Sequence, residues 1–153
     1  MKKILIFSNR EQIGDGLIKL PFLHEIRERF PKHYVIWVTN SGSTVFNGII
    51  KRIAYQYIDE IYEEVPLLSF IFRIKSKKYN FKGKFDVIID TQKAFARTLA
   101  LKSLNCKYFV SSSSNWIFSD FKPKHKDKFS ERYYLHNLYE MLDLITSKKS
   151  KKR

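Results

Sequence analysis

The stretch Lys3-Ile4-Leu5-Ile6-Phe7 is an almost uninterrupted apolar run near the start of the chain. A polar loop, Ser8 to Asp15, follows it. Beyond the loop, apolar residues recur at helical spacing: Leu20, Leu23, Ile26 and Phe30. A buried strand, a polar loop and a helix in this order are typical of the first part of a β-α-β unit. The helix should end before Pro31, because a residue that precedes proline is disfavoured in the helical region.

Strands and helices continue to alternate along the rest of the chain. Further strands are predicted at Tyr34–Val38, Phe85–Ile89 and Tyr108–Val110, with Ile58–Ile61 as an edge strand. Further helices are predicted at Val45–Ile53, Leu67–Phe72, Phe95–Leu104 and Tyr134–Ile145, the last with Ser130 as its N-cap. This order predicts an α/β fold, a single Rossmann-like, doubly wound parallel sheet of about five strands. We expect the lobe to span residues 1–146 and residues 147–153 to form a basic, disordered tail.

The composition excludes several classes of protein. The chain has 153 residues, of which 44% are hydrophobic and 16% aromatic, too many for a disordered chain. Its one cysteine, Cys106, has no partner for a disulfide or a thiolate metal site, which favours a reducing compartment. No apolar stretch approaches the roughly 18 residues of a membrane span. We therefore expect a cytoplasmic protein, either free or peripheral at the inner face of the membrane.

The positive charge is concentrated. Lysine and arginine number 29 against 15 acidic residues, a formal net charge of +14. Three segments, 73–84, 122–128 and 148–153, account for all of this excess. Such segments attract polyanions, whether nucleic acid, anionic lipid or a phosphorylated glycan, and they are equally typical of a solvated surface.

Most familiar catalytic motifs do not occur. Gly14-Asp15-Gly16 begins like a dinucleotide fingerprint, but Lys19 stands where the third small residue should be. The sequence contains no P-loop, nucleophile-elbow, H-E-x-x-H or paired C-x-x-C motif. We therefore expect no nicotinamide or flavin cofactor, and no metal.

Two blocks of sequence form longer patterns. The first is Ile13-Gly14-Asp15-Gly16-Leu17-Ile18-Lys19-Leu20-Pro21-Phe22-Leu23, followed by a helix that ends at Phe30-Pro31. The second is Phe85-Asp86-Val87-Ile88-Ile89-Asp90-Thr91-Gln92. Together they resemble the N-terminal lobe of glycosyltransferase family 9, the lipopolysaccharide heptosyltransferases. The resemblance covers residues 2–146, and Glu131-Arg132-Tyr133 is similar to the helix that ends that lobe.

The resemblance implies a GT-B architecture, in which two Rossmann-like lobes face each other across a cleft. The first lobe mainly binds the acceptor, and the second mainly binds the nucleotide-sugar. This chain has the length of the first lobe only, since a second lobe would need roughly 150 more residues. We therefore expect it to be inactive without a second lobe.

The sheet and the resemblance together predict the site. Ligands bind beyond the carboxyl ends of the strands in such a sheet, so we expect Asp15, Asn40, Asp90 and Ser112 at one edge. The resemblance implies that Asp15 is the catalytic base, although its position is equally that of a helix cap. The implied acceptor-binding residues are Gly14, Lys19, Asn40, Asp90, Gln92 and Lys93.

Several of these residues have a second interpretation. Lys19, Lys93 and Arg10 suit acceptor phosphates, but each is equally a solvated surface residue. Asp90 and Gln92 equally cap the loop at a strand end. The family usually has glycine where this chain has Lys93, and a different turn where it has Val110-Ser111-Ser112, so the acceptor is left open.

Two functions remain after these observations. The first is the acceptor-side lobe of an inverting glycosyltransferase of lipopolysaccharide or cell-surface glycan synthesis. Its partners would be an anionic glycolipid or glycan, a separate second-lobe chain and an anionic membrane. The alternative is a non-catalytic basic module that binds RNA or another polyanion. Aromatic residues do accompany the basic segments: Phe72, Tyr79, Phe81, Phe121 and Phe129.

Overall fold

The computed structural model describes residues 1–68, 79, 81, 83–124 and 134–150, with no side-chain description for 148–150. Within these residues one sheet holds five parallel strands in the order β3-β2-β1-β4-β5. Their bounds are β1 Lys2–Phe7, β2 His33–Val38, β3 Glu60–Tyr62, β4 Phe85–Asp90 and β5 Cys106–Ser111. The predicted parallel sheet of about five strands is confirmed.

The helices of the described residues cover both faces of this sheet. Four of them have both bounds within the described residues: α1 Ile13–Arg29, α2 Lys51–Ala54, α3 Phe95–Lys102 and α4 Tyr134–Ser150. Short 3₁₀ turns lie at Val45–Asn47 and Ser113–Trp116. No helix in the described part of the chain has the length and apolar character to cross a bilayer.

Alternation of the β1 side chains divides the core into two layers. Ile4 and Ile6 pack with one set of residues from α1 and α4: Phe22, Leu23, Ile26, Leu138, Met141, Leu142 and Ile145. Leu5 and Phe7 face the other layer, which includes Leu101 of α3. Both faces of the strand are buried, which explains why its sequence is continuously apolar. The doubly wound arrangement is therefore confirmed.

The predicted second helix differs most from the structure. Val45–Ile53 contains a 3₁₀ turn, Gly48 in a non-helical conformation, and the start of the one-turn helix α2. Ile49 is 73% exposed, so its apolar side chain does not belong to a buried helical stripe. The apolar spacing there does not reflect a continuous helix.

Other predicted helix bounds also shift. α1 begins at Ile13, seven residues before the predicted apolar stripe, and ends at Arg29 as expected before Pro31. The Leu67–Phe72 helix begins at Leu67, but residues 69–72 lie outside the described residues, as does the predicted N-cap Ser130. α4 continues through Ser150 and so extends into the segment predicted as a tail.

The strand order creates a topological switch point at β1. The chain moves from β1 outward to β2 and β3, and then returns to place β4 on the other side of β1. The connections that leave β1 and β4 therefore depart in opposite directions, which opens a crevice at their carboxyl ends. The backbone N–H of Thr91 donates to the carbonyl of Phe7 at 3.0 Å, which holds the two strand ends together.

Candidate functional site

The parallel topology brings four loops to one edge of the sheet. In register, Phe7 lies beside Val38 on one side and Asp90 on the other, and Asp90 lies beside Ser111. The predicted residues Asp15, Asn40, Asp90 and Ser112 come just after these strand ends. The prediction that they share one edge is confirmed by the strand order.

Asp15 lies in the first turn of α1. Gln12 is the N-cap, and its backbone N–H donates to Oδ2 of Asp15 at 3.2 Å. The carboxylate therefore satisfies one of the N–H groups at the helix start and lies at the positive end of the helix dipole. The Asp15 side chain is exposed. Its capping position is part of the structure, and its role as a base stays a prediction.

A buried ion pair lies beneath this loop. Nζ of Lys19 donates to Oγ of Ser8 at 2.7 Å and to Oε1 of Glu11 at 3.1 Å. The side chains of Lys19 and Glu11 are only 4% and 0% exposed. Burial lowers the pKa of Lys19, while the charges of Glu11 and Asp15 oppose that shift. Lys19 therefore supports the loop from below, and an acceptor contact by it stays a prediction.

Two residues beside Lys19, Glu11 and Tyr134, are part of the site although no sequence pattern indicated them. Glu11 is buried, and its Oε2 has no hydrogen-bond partner among the described residues. Tyr134, the first residue of α4, places its ring 5.5 Å from Nζ of Lys19. Burial of its hydroxyl end raises the pKa of Tyr134 to about 12. Glu11 was inside the predicted polar loop, but nothing in its spacing indicated burial.

Asp90 is the buried carboxylate of the edge. It accepts hydrogen bonds from Oγ1 of Thr98 at 2.7 Å, Oγ of Ser111 at 2.9 Å and the backbone N–H of Gln92 at 3.0 Å. Burial raises its pKa to about 6, against the opposing effect of these three bonds. The geometry matches the loop-capping interpretation. Its acceptor contact stays a prediction.

Two other predicted residues follow Asp90. Nε2 of Gln92 donates to Oγ of Ser8 at 3.3 Å, which ties the β4 loop to the β1 loop. Lys93 is exposed at the end of the same loop. Gly14 lies in the first turn of α1, and a Cβ there would meet nothing within 4 Å.

Asn40 joins the β2 loop to its neighbours. Its backbone N–H and that of Ser41 both donate to Oδ1 of Asn9, at 3.2 and 3.0 Å. Its side-chain Oδ1 accepts from Nε of Arg97 at 2.8 Å, and its Nδ2 donates to the carbonyl of Val65 at 2.9 Å. Arg97 lies 57 residues from Asn40 along the chain and was not among the predicted site residues.

The β5 loop completes the edge. Nδ2 of Asn137 on α4 donates to Oγ of Ser112 at 3.0 Å. The following residues Ser114, Asn115 and Trp116 have positive φ angles of 49°, 57° and 65°. Such left-handed conformations are costly away from glycine, so the packing around this turn must hold it in place. Within the described residues, no group of three or more His, Cys, Asp or Glu side chains is placed to hold a metal ion.

Comparison with known proteins reveals a likeness of fold. No protein-family model and no curated protein matches the sequence. The structure is similar to a glycosyl transferase family 9 protein from Veillonella parvula DSM 2008, with a TM-score of 0.59 and 18% identity over 94% of this chain. It is also similar to the E. coli heptosyltransferase WaaC with ADP, with a TM-score of 0.57 and 15% identity over 92% of this chain.

The chain has the fold of part of a family 9 glycosyltransferase. It covers 42% of the Veillonella chain and 46% of the E. coli chain, and so spans less than half the length of either. The resemblance seen in the two sequence blocks is therefore confirmed at the level of the fold. At 15–18% identity, the likeness carries no statement about substrate.

Proposed function

We propose that this chain is the acceptor-side lobe of an inverting glycosyltransferase similar to family 9, with Asp15 as its general base. One observation carries the proposal. Of three carboxylates near the switch point, Glu11 and Asp90 are buried, whereas Asp15 is exposed in the first turn of α1. Asp15 is thus the member of this group that an acceptor hydroxyl can approach.

The chemistry suits a carboxylate in this position. An acceptor hydroxyl is a poor nucleophile near neutral pH, so a base must take its proton as the oxygen attacks. The oxygen forms a bond to the anomeric carbon, and the bond from that carbon to the nucleotide diphosphate breaks. The leaving diphosphate takes the bonding electrons, Asp15 takes the proton, and attack from the opposite side inverts the configuration.

Donor binding is assigned to a second lobe. The two similar structures are each about twice as long as this chain. Much of the rate advantage of a transferase comes from holding both reactants and stabilising the departing charge. The second lobe would supply those contacts, whether it belongs to the same polypeptide or to a separate one.

The acceptor is proposed to be an anionic glycolipid or glycan of the cell surface. The net charge of +14 supports an anionic partner. With such an acceptor, the protein would act at the cytoplasmic side, peripheral to an anionic membrane.

The test compares residues 1–153 alone with the same chain plus a second-lobe chain, taken from adjoining coding sequence that encodes a Rossmann-like lobe. We expect no transfer from a panel of nucleotide-sugars by the chain alone, and transfer once the second lobe is added. Robust transfer by the purified chain alone would overturn the half-enzyme proposal.

Asp15→Asn tests the base in the reconstituted enzyme. The variant should lose turnover by at least a hundredfold, because asparagine is a poor proton acceptor. Glu28→Gln is the matched control, since Glu28 is exposed near the other end of α1. Equal turnover by Asp15→Asn and Glu28→Gln would exclude Asp15 as the base.

The competing function is a basic module that binds RNA or another polyanion, and the same net charge favours it. Most of the basic segment 73–84 and about half of the segment 122–128 lie outside the described residues. If the chain is such a module, its affinity for RNA should fall steeply between low and high salt, because bound counterions are released on association. Affinity for RNA that does not change with salt would exclude this alternative.

A further inference from the structure

Two arginines are anchored on consecutive residues of the β2 loop. Nε of Arg10 donates to Oγ of Ser41 at 3.3 Å, and Nε of Arg97 donates to Oδ1 of Asn40 at 2.8 Å. Oδ1 of Asn9 accepts the backbone N–H groups of both anchoring residues. The β2 loop, braced by Asn9 of the β1 loop, therefore anchors two guanidinium groups, one from the β1 loop and one from α3.

These guanidinium groups differ from the paired arginines of the same chain. Arg27 pairs with Asp59, and Arg29 pairs with Glu25 and Asp143. Neither Arg10 nor Arg97 takes part in an ion pair with any described residue, and their Nη atoms make no hydrogen bond within the same residues. Two positive charges are thus held on neighbouring residues of the β2 loop, and no described carboxylate lies within 4.0 Å of either guanidinium.

The backbone at Arg10 is also unfavourable. Its φ of 54° lies in the left-handed region, which costs a non-glycine residue roughly 1–2 kcal/mol. Glycine would relieve that strain but would remove the guanidinium. A strained arginine at the edge where ligands bind in this fold favours a role for its side chain there.

The chemistry of the pair fits a phosphate group. A guanidinium is a planar fork that bonds two phosphate oxygens at once, and each Nε here is already fixed by the protein. A phosphomonoester carries a charge of about −1.5 to −2 at neutral pH, close to the charge of two arginines. A carboxylate would balance only one of them.

We propose that Arg10 and Arg97 bind the phosphate of a phosphorylated sugar at the carboxyl edge. Identifying that sugar as the acceptor rests on the proposed function, whereas the phosphate site itself does not. Lys19 takes no part in this site, because its Nζ is buried between Ser8 and Glu11.

The test is a calorimetric titration of the full chain with glucose 6-phosphate, with unphosphorylated glucose as the reference. Phosphate-dependent binding is expected, weakened at least tenfold by Arg10→Gln and by Arg97→Gln. Arg52→Gln is the matched control, because Arg52 is exposed on α2, away from these loops. Circular dichroism and urea unfolding of each variant would separate lost binding from lost folding.

Two results would overturn the site. One is equal affinity of folded Arg97→Gln, Arg10→Gln and Arg52→Gln for glucose 6-phosphate. The other is equal affinity of the unaltered chain for glucose and glucose 6-phosphate. Vesicles with and without phosphatidic acid identify the source of the phosphate. If the arginine variants weaken binding to phosphatidic acid but not to glucose 6-phosphate, the ligand is a lipid headgroup and the sugar-phosphate proposal is wrong.

The outcomes for this site and for the proposed function are separable. Arginine-dependent phosphate binding by a chain that never transfers sugar, even with a second lobe, would support the site and contradict the proposed function. Sugar transfer to a phosphorylated acceptor at a rate unaffected by Arg10→Gln and Arg97→Gln would support the proposed function and contradict the phosphate site.

Discussion

The carboxyl edge of the sheet has an inner set and an outer set of polar residues, and the two differ in how their charges are satisfied. The inner set is Ser8, Glu11, Lys19, Asp90 and Thr98, all buried. The outer set is Arg10, Asp15, Lys93 and Arg97, which are exposed or half-buried. Inner charges are bonded to buried side chains or backbone groups, whereas each outer arginine keeps its Nη atoms unbonded among the described residues. The inner set therefore maintains the edge, and the outer set is available to a ligand.

Breaking the inner ion pair should have the largest effect. Lys19→Met leaves Glu11 buried without its cation, which typically costs about 3–5 kcal/mol of folding free energy. Urea unfolding of Lys19→Met and of the outer-set control Lys93→Met should show that cost only in the first. The double variant Lys19→Met/Glu11→Leu should recover most of it, because no buried charge remains. Equal stability of the two single variants would contradict the division into inner and outer sets.

The pH dependence of stability should reveal the burial of Asp90. The folded-state pKa of Asp90 is about 6, against 3.8 for an unperturbed carboxyl. Between these values the folded state holds a proton that the unfolded state has lost, so stability falls as pH rises. The shifted pKa of Asp90 lowers the free energy of unfolding by about 3 kcal/mol across this pH range, at roughly 1.4 kcal/mol per pKa unit.

Urea unfolding between pH 4 and 6.5 measures this loss. Asp90→Asn should flatten the profile relative to the unaltered chain. A slope unchanged by Asp90→Asn would show that burial does not raise the pKa of Asp90.

The sheet was predictable from the sequence because its strands are buried on both faces. Ile4 to Phe7 alternate between two core layers, which leaves a continuous apolar run that few other structures produce. The start of α1 was not predicted, because Ile13, Leu17 and Ile18 are about half exposed and form no buried stripe. The helix predicted at Val45–Ile53 was wrong for a different reason. Ile49 and Ile53 are apolar residues at helical spacing, but both are exposed to solvent and form no buried stripe.

The candidate site was predictable only as far as strand order fixes it. A parallel sheet places the residues that follow its strands at one edge, which sufficed for Asp15 and Asp90. Arg97 and Tyr134 reach the edge from α3 and α4 through long side chains. Their partners Asn40 and Thr91 are 57 and 43 residues distant, so no local spacing indicates these contacts.

Alanine substitutions at the two glycines that flank Asp15 should have opposite effects on stability, because Gly16 is buried like the inner set and Gly14 is exposed like the outer set. A Cβ on Gly16 would overlap Cγ2 of Val45 and come within 3.0 Å of Cδ1 of Ile50. Gly16→Ala should therefore cost about 1–3 kcal/mol, the usual range for overpacking. Gly14→Ala meets open space and should stabilise the helix by up to about 0.5–1 kcal/mol. Thermal unfolding of both variants checks the contrast, which a loss of stability in Gly14→Ala would contradict.

The smallest effect on stability should come from the residue proposed to matter most for chemistry. In Asp15→Asn, the amide oxygen still accepts the backbone N–H of Gln12, so the hydrogen bond at the start of α1 survives. The variant loses the attraction between the carboxylate charge and the helix dipole, which is worth about 0.3–1 kcal/mol at an exposed site, and the weaker attraction of that charge to Lys19. Urea unfolding should place Asp15→Asn within about 1 kcal/mol of the unaltered chain. A cost above about 2 kcal/mol would mean that Asp15 belongs with the inner set, and its use as a catalytic base would lose the exposure on which the proposal rests.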